Sequence, residues 1–172
     1  MWRLLLMGAF ALPAAVRQCG EEKGKKSAQA NAKAPMDTLS ISITRTGCYG
    51  RCPIDKVDLL PDGTVEYHGK RFVSRLGIYQ RRLSEKELQE VRQMLKEAKF
   101  EDYQDLYDNP HITDLPSIII SYQLGAVKKQ ITCRTQCPPE LPEKIEKLRT
   151  YLAEQGDFQM VQGPPKDDDQ GD

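Results

Sequence analysis

The chain has 172 residues, enough for one domain and at most a tight pair. Basic and acidic residues are equal in number, 25 of each, so the formal net charge is zero. A protein dedicated to nucleic acid needs a basic excess to displace counterions from phosphates, and we therefore expect no nucleic-acid partner. Hydrophobic residues make up 39% of the chain, which is sufficient for a core.

The first 19 residues have the pattern of an export signal. Arg3 precedes a run of 13 mostly apolar residues, 4–16, which is too short to span a bilayer as a helix. Cys19 ends this region, and the arrangement resembles a bacterial lipoprotein signal, in which the cysteine becomes the lipid-bearing first residue of the mature chain. The acidic pair Glu21 and Glu22 resembles the surface-export signals of Bacteroidota lipoproteins. The alternative is an ordinary secretory peptide with an incidental cysteine.

Composition divides the remainder into three parts. Residues 20–35 are poor in apolar side chains and rich in Lys, Ala, Ser and Gln, as in a flexible tether. Residues 36–155 carry the periodic patterns of a folded domain. Residues 156–172 hold five Asp and one Lys without periodicity, and we predict a disordered acidic tail.

The domain begins with strands. Residues 38–46 alternate apolar and polar side chains with a period of two, the pattern of a half-buried strand. Residues 57–70 are predicted to form a hairpin around Pro61–Gly63, because proline presets φ and glycine accepts positive φ. Residues 71–83 are predicted as a further strand with a bulge or bend at Gly77.

Two helices and a second hairpin follow. Ser84 and Glu87 form a capping box, and apolar residues at helical spacing come after it. Residues 117–124 and 127–133 predict a hairpin. The last helix is expected after residue 139, with one apolar stripe and its end at Gly156.

The predicted order of elements is therefore ββββαββα. Strands cluster before each helix instead of alternating with helices, which favours an α+β fold in which two helices pack on one face of a mainly antiparallel sheet. In such a layer the helix stripes are buried against the inward side chains of the strands. The expected core comprises Leu88, Val91, Leu95, Ile145, Leu148 and Leu152 from the helices, with Ile41, Ile43, Val57, Val65 and 118–120 from the strands.

Four short motifs occur in a set order along the domain. They are a Cys-Tyr-Gly-Arg-Cys-Pro segment at 48–53, an Asp-Gly turn at 62–63, a Thr-Asp-Leu-Pro segment at 113–116 and the closing helix at 141–152. This set resembles the bacterial domain of unknown function 6438 over about residues 39–152. Asp55 departs from that pattern, since an aromatic residue is expected there. The resemblance implies an exported domain and no established activity.

The cysteines are the main candidates for chemistry. An exported protein meets oxidising surroundings, where five cysteines leave one without a partner. If Cys19 carries lipid, an even four remain: Cys48, Cys52, Cys133 and Cys137. We predict that these four form structural disulfides. Of the three possible pairings we favour the two local ones, because glycines beside the first pair let the chain turn back.

Two other uses of the four cysteines stay open. As thiolates they would supply a zinc site, since ligands three or four residues apart match the usual spacing. A redox role is favoured by Arg51 and Arg134, which lie inside the two Cys-x3-Cys segments, because a nearby cation lowers the pKa of a thiol.

Other polar residues give weaker signals. His68 and His111 are far apart in sequence and are predicted to be surface residues. The acidic segment 101–114 lacks the spacing of a calcium loop and is predicted to be solvated. Thr113 and Asp114 define a possible functional loop, in which Asp114 is expected to cap a turn before the next strand. Basic residues between 70 and 82 are expected on a solvated strand face, with an anionic partner or lipid head group as the alternative.

We therefore predict an exported domain, in the periplasm or on the outer membrane, attached to the membrane by its lipid. It is expected to bind a protein or small molecule, without catalytic residues, metal or cofactor. The second hypothesis is a cell-envelope enzyme, or a thiol-redox or metal-binding protein, that uses the Cys-x3-Cys pairs.

Overall fold

The computed structural model describes residues 38–164. The predicted signal and tether, including Cys19, and residues 165–172 of the predicted tail lie outside the described residues. The elements in chain order are β1 (Leu39–Arg45), β2 (Ile54–Leu59), β3 (Thr64–Arg71), β4 (Gly77–Arg82), α1 (Glu85–Ala98), a 3-10 turn (Phe100–Asp102), β5 (Leu106–Tyr107), β6 (Ile118–Leu124), β7 (Val127–Cys133), α2 (Glu140–Glu154) and β8 (Gln159–Gln162). No helix among the described residues has the length and apolar character needed to cross a bilayer.

The strands form one sheet in the order β5-β7-β6-β1-β2-β3-β4-β8. Every neighbouring pair is antiparallel except β5 and β7. The predicted α+β class, with two helices and a mainly antiparallel sheet, is therefore confirmed.

The core lies between the helices and one face of this sheet. Burial alternates along β1, where Leu39, Ile41 and Ile43 are buried and the residues between them are half-buried. The inward residues of the neighbouring strands join the buried stripes of α1 and α2 in one apolar cluster. Of the predicted core, Leu88 and residues 118 and 119 are only half-buried, and the others are fully buried. The opposite face, here called the open face, carries mostly polar side chains.

The ends of α1 follow the sequence rules. The Ser84 side chain accepts a hydrogen bond from the backbone N–H of Glu87, and the Glu87 carboxylate accepts one from the backbone N–H of Ser84. This capping box satisfies two donors that the first turn leaves without partners. The helix ends at Ala98, and the next residue, Lys99, adopts a left-handed conformation with φ of 51°.

The C-terminal segment differs from the prediction. Residues 159–162 lie within the predicted disordered tail, yet they form β8 and pair with β4 at one edge of the sheet. All four side chains are exposed, so the strand is held by backbone hydrogen bonds and gives no apolar alternation in the sequence. The prediction of a disordered tail is corrected for these residues.

The strand predicted at 71–83 is shorter than expected. Residues 72–76 form an irregular connection, and β4 begins at Gly77, whose φ is 108°. A Cβ atom at this position would lie 2.5 Å from the carbonyl oxygen of Gln162. The glycine therefore permits both the backbone conformation and the close approach of β8.

Candidate functional site

Both Cys-x3-Cys segments lie at the same end of the sheet. Cys48 and Cys52 are bonded in the connection from β1 to β2, and Cys133 and Cys137 in the connection from β7 to α2. The Cα atoms are 5.7 Å apart in the first pair and 5.8 Å in the second, within the range that a disulfide requires. The structure thus holds the cysteines in the two local pairings that the sequence favoured. Sulfur atoms in this state are neither zinc ligands nor nucleophilic thiolates.

Strand register explains why the two segments are close. Arg45, at the end of β1, pairs with Asp55 on one side and with Ile118 on the other. Ile118 in turn pairs with Cys133, the last residue of β7. Because antiparallel neighbours run in opposite directions, the ends of β1 and β7 and the starts of β2 and β6 meet at this end of the sheet.

The predicted functional loop, which contains Thr113 and Asp114, lies at the same end of the sheet. Thr46 donates its backbone N–H to the carbonyl of Ser117 at 2.9 Å, and the N–H of Ser117 donates to the Thr46 hydroxyl at 2.8 Å. Tyr49, inside the first disulfide loop, donates its N–H to the carbonyl of Asp114 at 3.4 Å. Residues 113–117 are therefore tied to the first disulfide loop by the backbone.

The side chains of Thr113 and Asp114 form a local contact. The Thr113 hydroxyl donates to Oδ2 of Asp114 at 3.1 Å, and both residues are exposed. The sequence predicted that Asp114 would bond a backbone N–H ahead of it, whereas its carboxylate here meets a hydroxyl behind it. Its φ of 64° lies in the left-handed region that Asp tolerates better than most residues.

A groove separates the two disulfide loops. It has a cavity volume of about 470 Å³, within the usual range for small-molecule sites. We call it the disulfide groove, and its lining comprises Arg45, Cys52, Pro53, residues 116–118, residues 133–137, Pro142 and Glu146. The disulfides, prolines and Ile118 supply apolar surface, while two arginines and one glutamate supply charge.

The charged side chains of the groove are already paired. Arg134 donates to Asp108 at 2.6 Å and to the carbonyl of Ile112 at 2.9 Å. These bonds tie the acidic segment to the second disulfide loop. Arg45 contacts Glu146 at 3.5 Å. Since each of these charges has a partner, the groove does not demand a ligand of either sign.

A buried charge cluster lies beneath the groove. Asp55 is only 2% exposed and accepts hydrogen bonds from Nε of Arg45 at 2.7 Å and from the hydroxyl of Tyr67 at 3.2 Å. Arg149 donates to the same carboxylate at 3.4 Å. Burial and the adjacent carboxylate raise the pKa of Tyr67 to about 12, so its hydroxyl remains a donor at neutral pH.

Two further carboxylates complete the cluster. Burial alone disfavours the charge of Arg149, but hydrogen bonds to Glu146 at 2.8 Å and Glu154 at 2.9 Å outweigh it. Together with Asp55 they raise the pKa of Arg149 above its ordinary value. The cluster therefore links β1, β2, β3 and α2 directly behind the groove.

Sequence reasoning did not identify this cluster, although a signal existed. Asp55, Val57 and Leu59 occupy the same face of β2, so a charge stands in a row of buried positions. An inward carboxylate in an alternating strand requires a buried partner. Its partner Arg149 is 94 residues away, and the one-dimensional pattern does not identify it.

The remaining candidates serve different roles. His111 is exposed in a loop. In the acidic segment, Asp105 pairs with Lys129 at 2.6 Å and Asp108 with Arg134, so within residues 38–164 these acids do not converge on one point. Arg81, in the predicted basic run, is buried and pairs with Glu87 at 2.7 Å.

His68 lies on β3, an interior strand, and faces the open face of the sheet. The prediction of a lone surface histidine is therefore incomplete, because Asp58 and Glu66 lie beside it.

Comparison with known proteins adds the family. No curated protein matches this chain. The family described as "Domain of unknown function (DUF6438)" matches residues 39–154, which include both disulfide loops, residues 113–117 and every element except β8. The chain therefore belongs to the DUF6438 family, as the order of its motifs predicted.

Proposed function

We propose that this domain is a non-catalytic binding module of the cell envelope, held at a membrane by lipid on Cys19, and that it binds its ligand in the disulfide groove. The observation that carries the proposal is the convergence of three loops on one groove. Two of these loops are closed by disulfides, and the third is tied to the first by backbone hydrogen bonds.

Cross-linked loops favour binding because they are ordered before the ligand arrives. A flexible loop loses conformational entropy when it closes on a ligand, and this loss lowers affinity. A short disulfide loop has lost most of that freedom already. Such loops on a rigid sheet are a common way to present a binding surface.

The lining favours an uncharged ligand with apolar surface. Cys52, Pro116 and Ile118 contribute apolar atoms, and the arginines at either end already bind carboxylates. A small molecule or an apolar side chain of a partner protein fits a cavity of this size. A highly anionic ligand would have to displace Asp108 or Asp55 from its arginine.

The test is a ligand screen by NMR on the full chain. A library of neutral, apolar fragments is expected to shift backbone signals of residues 116–118 and 133–137 selectively. Ile118→Trp places a larger side chain in the groove and is expected to abolish these shifts. Ile119→Trp is the matched control, because Ile119 is also half-buried and, as the next residue of β6, points toward the open face. Fragments that shift signals outside the groove only, or whose shifts survive Ile118→Trp, would contradict the assignment.

The oxidation state of the cysteines distinguishes this proposal from the rival hypothesis of thiol chemistry. After aerobic purification from the envelope, alkylation without reduction and mass spectrometry should find no label on Cys48 or Cys52. Free thiols at these positions, or zinc bound to them in stoichiometric amount, would favour a redox or metal-binding function instead.

A further inference from the structure

Three ligand-type side chains meet on the open face of the sheet. The inward residues of β2 and β3 include Val57, Leu59 and Val65, so the alternating residues Asp58, Glu66 and His68 point the other way. Asp58 is the direct register partner of Glu66, and His68 follows two positions later on the same strand. The hairpin therefore fixes the three side chains as neighbours.

We propose that Asp58, Glu66 and His68 form a binding site for a divalent transition-metal ion of the zinc type. Nε2 of His68 is 3.5 Å from Oε2 of Glu66 and 4.0 Å from Oδ2 of Asp58. The three ligand atoms all lie within 4.8 Å of one another. This proposal concerns a different face from the disulfide groove and does not depend on it.

The distances suit a metal with small rotamer adjustments. In a tetrahedral site with bonds of about 2.1 Å, ligand atoms are separated by roughly 3.4 Å. The histidine and glutamate atoms already meet that spacing, and the aspartate oxygen is about half an ångström farther from Nε2 than it requires. One imidazole and two carboxylates also balance the charge of a divalent ion, and this mixed donor set suits transition metals.

The state of His68 provides a second observation. Its Nε2 atom is buried from solvent and has no hydrogen-bond partner within the described residues. A buried polar atom without a partner is unfavourable, because it has lost its hydrogen bonds to water and gained none in the protein. A metal ion between the two carboxylates would bond this nitrogen directly.

Neighbouring side chains orient the glutamate and leave room for further ligands. The amide of Gln80 donates to Oε1 of Glu66, so the other carboxylate oxygen turns toward His68. Such outer contacts commonly fix a metal ligand in its binding geometry. Asp58 also lines a shallow concavity of about 490 Å³, with Ser42 and Gln123 on its walls. Water or a small ligand can therefore approach the site from the side of Asp58.

Lys56 competes with the ion for one ligand. Its ammonium lies 2.8 Å from Oδ2 of Asp58, the oxygen that faces His68. The lysine side chain is 43% exposed, so the ammonium can move into solvent when a metal binds. Removing this positive charge is expected to increase metal affinity. A purely structural network of charges would not respond to metal at all.

The direct test is equilibrium dialysis of the full chain against zinc chloride. A Cys19→Ser background removes the cysteine that lies outside the two disulfides. We expect one zinc per chain, with affinity reduced at least about tenfold by His68→Gln and by Glu66→Gln. His111→Gln, which alters the other histidine of the chain, should leave binding unchanged. Absence of binding, or binding that survives His68→Gln, would overturn the proposal.

A substitution of Lys56 is expected to change zinc affinity in the opposite direction. Lys56→Gln is expected to raise zinc affinity severalfold, whereas Lys96→Gln, an equal charge change on the exposed side of α1, should not. Equal affinities for the two variants would contradict the assignment of Asp58 as a ligand.

Two spectroscopic readouts keep the test independent of variant folding. In the unmodified site, zinc should shift the His68 imidazole signals and leave those of His111 in place. Cobalt(II) should give visible d–d bands without a near-ultraviolet thiolate band. A thiolate band, or a shift confined to His111, would place the metal elsewhere and overturn the proposal.

Discussion

At the scale of single residues, an ion pair between Arg81 of β4 and Glu87 of α1 stabilises the contact between these two elements. The guanidinium of Arg81 has only 5% of its side chain exposed, and its carboxylate partner comes from the first turn of α1. Glu87 therefore does two things at once, because it closes the capping box with Ser84 and neutralises Arg81. Hydrogen bonds from both residues lower the pKa of Glu87 to about 2.

Glu87→Gln separates these two contributions. Glutamine can still complete a capping box, but it leaves the buried guanidinium without a charged partner. We expect a loss of about 2 kcal/mol in the free energy of unfolding at pH 7, measured by urea denaturation. Glu85→Gln, in the same first turn of α1, is an exposed control and should cost less than about 0.5 kcal/mol.

The same pair predicts how stability depends on pH. The folded pKa of Glu87 is depressed below its ordinary value of 4.5, so the pair stabilises the fold fully above pH 4.5. This contribution is lost as the pH falls from 4.5 toward 2. The difference in stability between wild type and Glu87→Gln should therefore shrink over that interval. A constant difference would show that Glu87 does not act through its charge.

At the scale of the elements, two local constraints hold segments that lie outside the apolar core. The first disulfide closes the loop between β1 and β2, while β8 is held by backbone bonds to β4. Neither Cys48, Cys52 nor any residue of β8 belongs to the buried core, whereas Cys133 of the second disulfide does. Loss of the first disulfide or of the β8 contact should therefore loosen its own segment before it affects the rest of the domain.

Removal of the first disulfide tests this separation. For a loop of five residues the chain-entropy model gives about 2 kcal/mol of stabilisation. We expect Cys48→Ser with Cys52→Ser to cost no more than this amount. Hydrogen exchange should accelerate in residues 46–53 and 113–117, which are hydrogen-bonded to each other, and remain slow in α2. Global unfolding of the double variant would show that the bridge is essential to the fold.

Gly77→Ala tests the attachment of β8. The added methyl group would clash with the carbonyl of Gln162, and alanine would be strained at φ of 108°. We expect a cost of about 1 to 3 kcal/mol and faster hydrogen exchange in residues 159–162. Gly163→Ala is the matched control, because nothing lies within 4 Å of its added Cβ. Similar effects of both substitutions would argue against a close β4–β8 contact.

At the scale of the whole molecule, antiparallel pairing gathers both disulfide loops and residues 113–116 at one end, while the Asp62–Gly63 turn lies at the other. Cys48, Asp114 and Cys133 are far apart in sequence, but the central position of β1 brings their loops together. The covered face supplies stability, one end carries the groove, and the open face carries polar side chains.

The elements of this arrangement could be predicted because their signals are local. Alternation identified β1, and the Ser84–Glu87 box located the start of α1. The groove and the charge cluster could not be predicted in the same way, since they depend on which strands are neighbours. His68 illustrates the limit, because its partners become visible only when the register of β2 and β3 is known. The exposed strand β8 had no apolar pattern to detect.

Attachment to a membrane is the prediction that concerns the whole protein. Lipid on Cys19 would place the domain at the end of residues 20–35, where the groove could reach molecules near the bilayer. In fractionated cells the wild type should stay with membranes and be released by detergent. Cys19→Ala should appear in the soluble fraction, and metabolic labelling with an alkyne fatty acid should mark the wild type alone.

Salt distinguishes a lipid anchor from attraction by the tether itself. Residues 20–35 contain four lysines and two glutamates, a net charge of +2, which could attract anionic lipid without any acyl chain. Such attraction weakens as the Debye length falls from about 10 Å at 0.1 M salt to about 3 Å at 1 M. A lipid anchor should therefore hold the wild type on membranes at 1 M salt. Release by salt alone, or equal solubility of wild type and Cys19→Ala, would show that Cys19 carries no anchor.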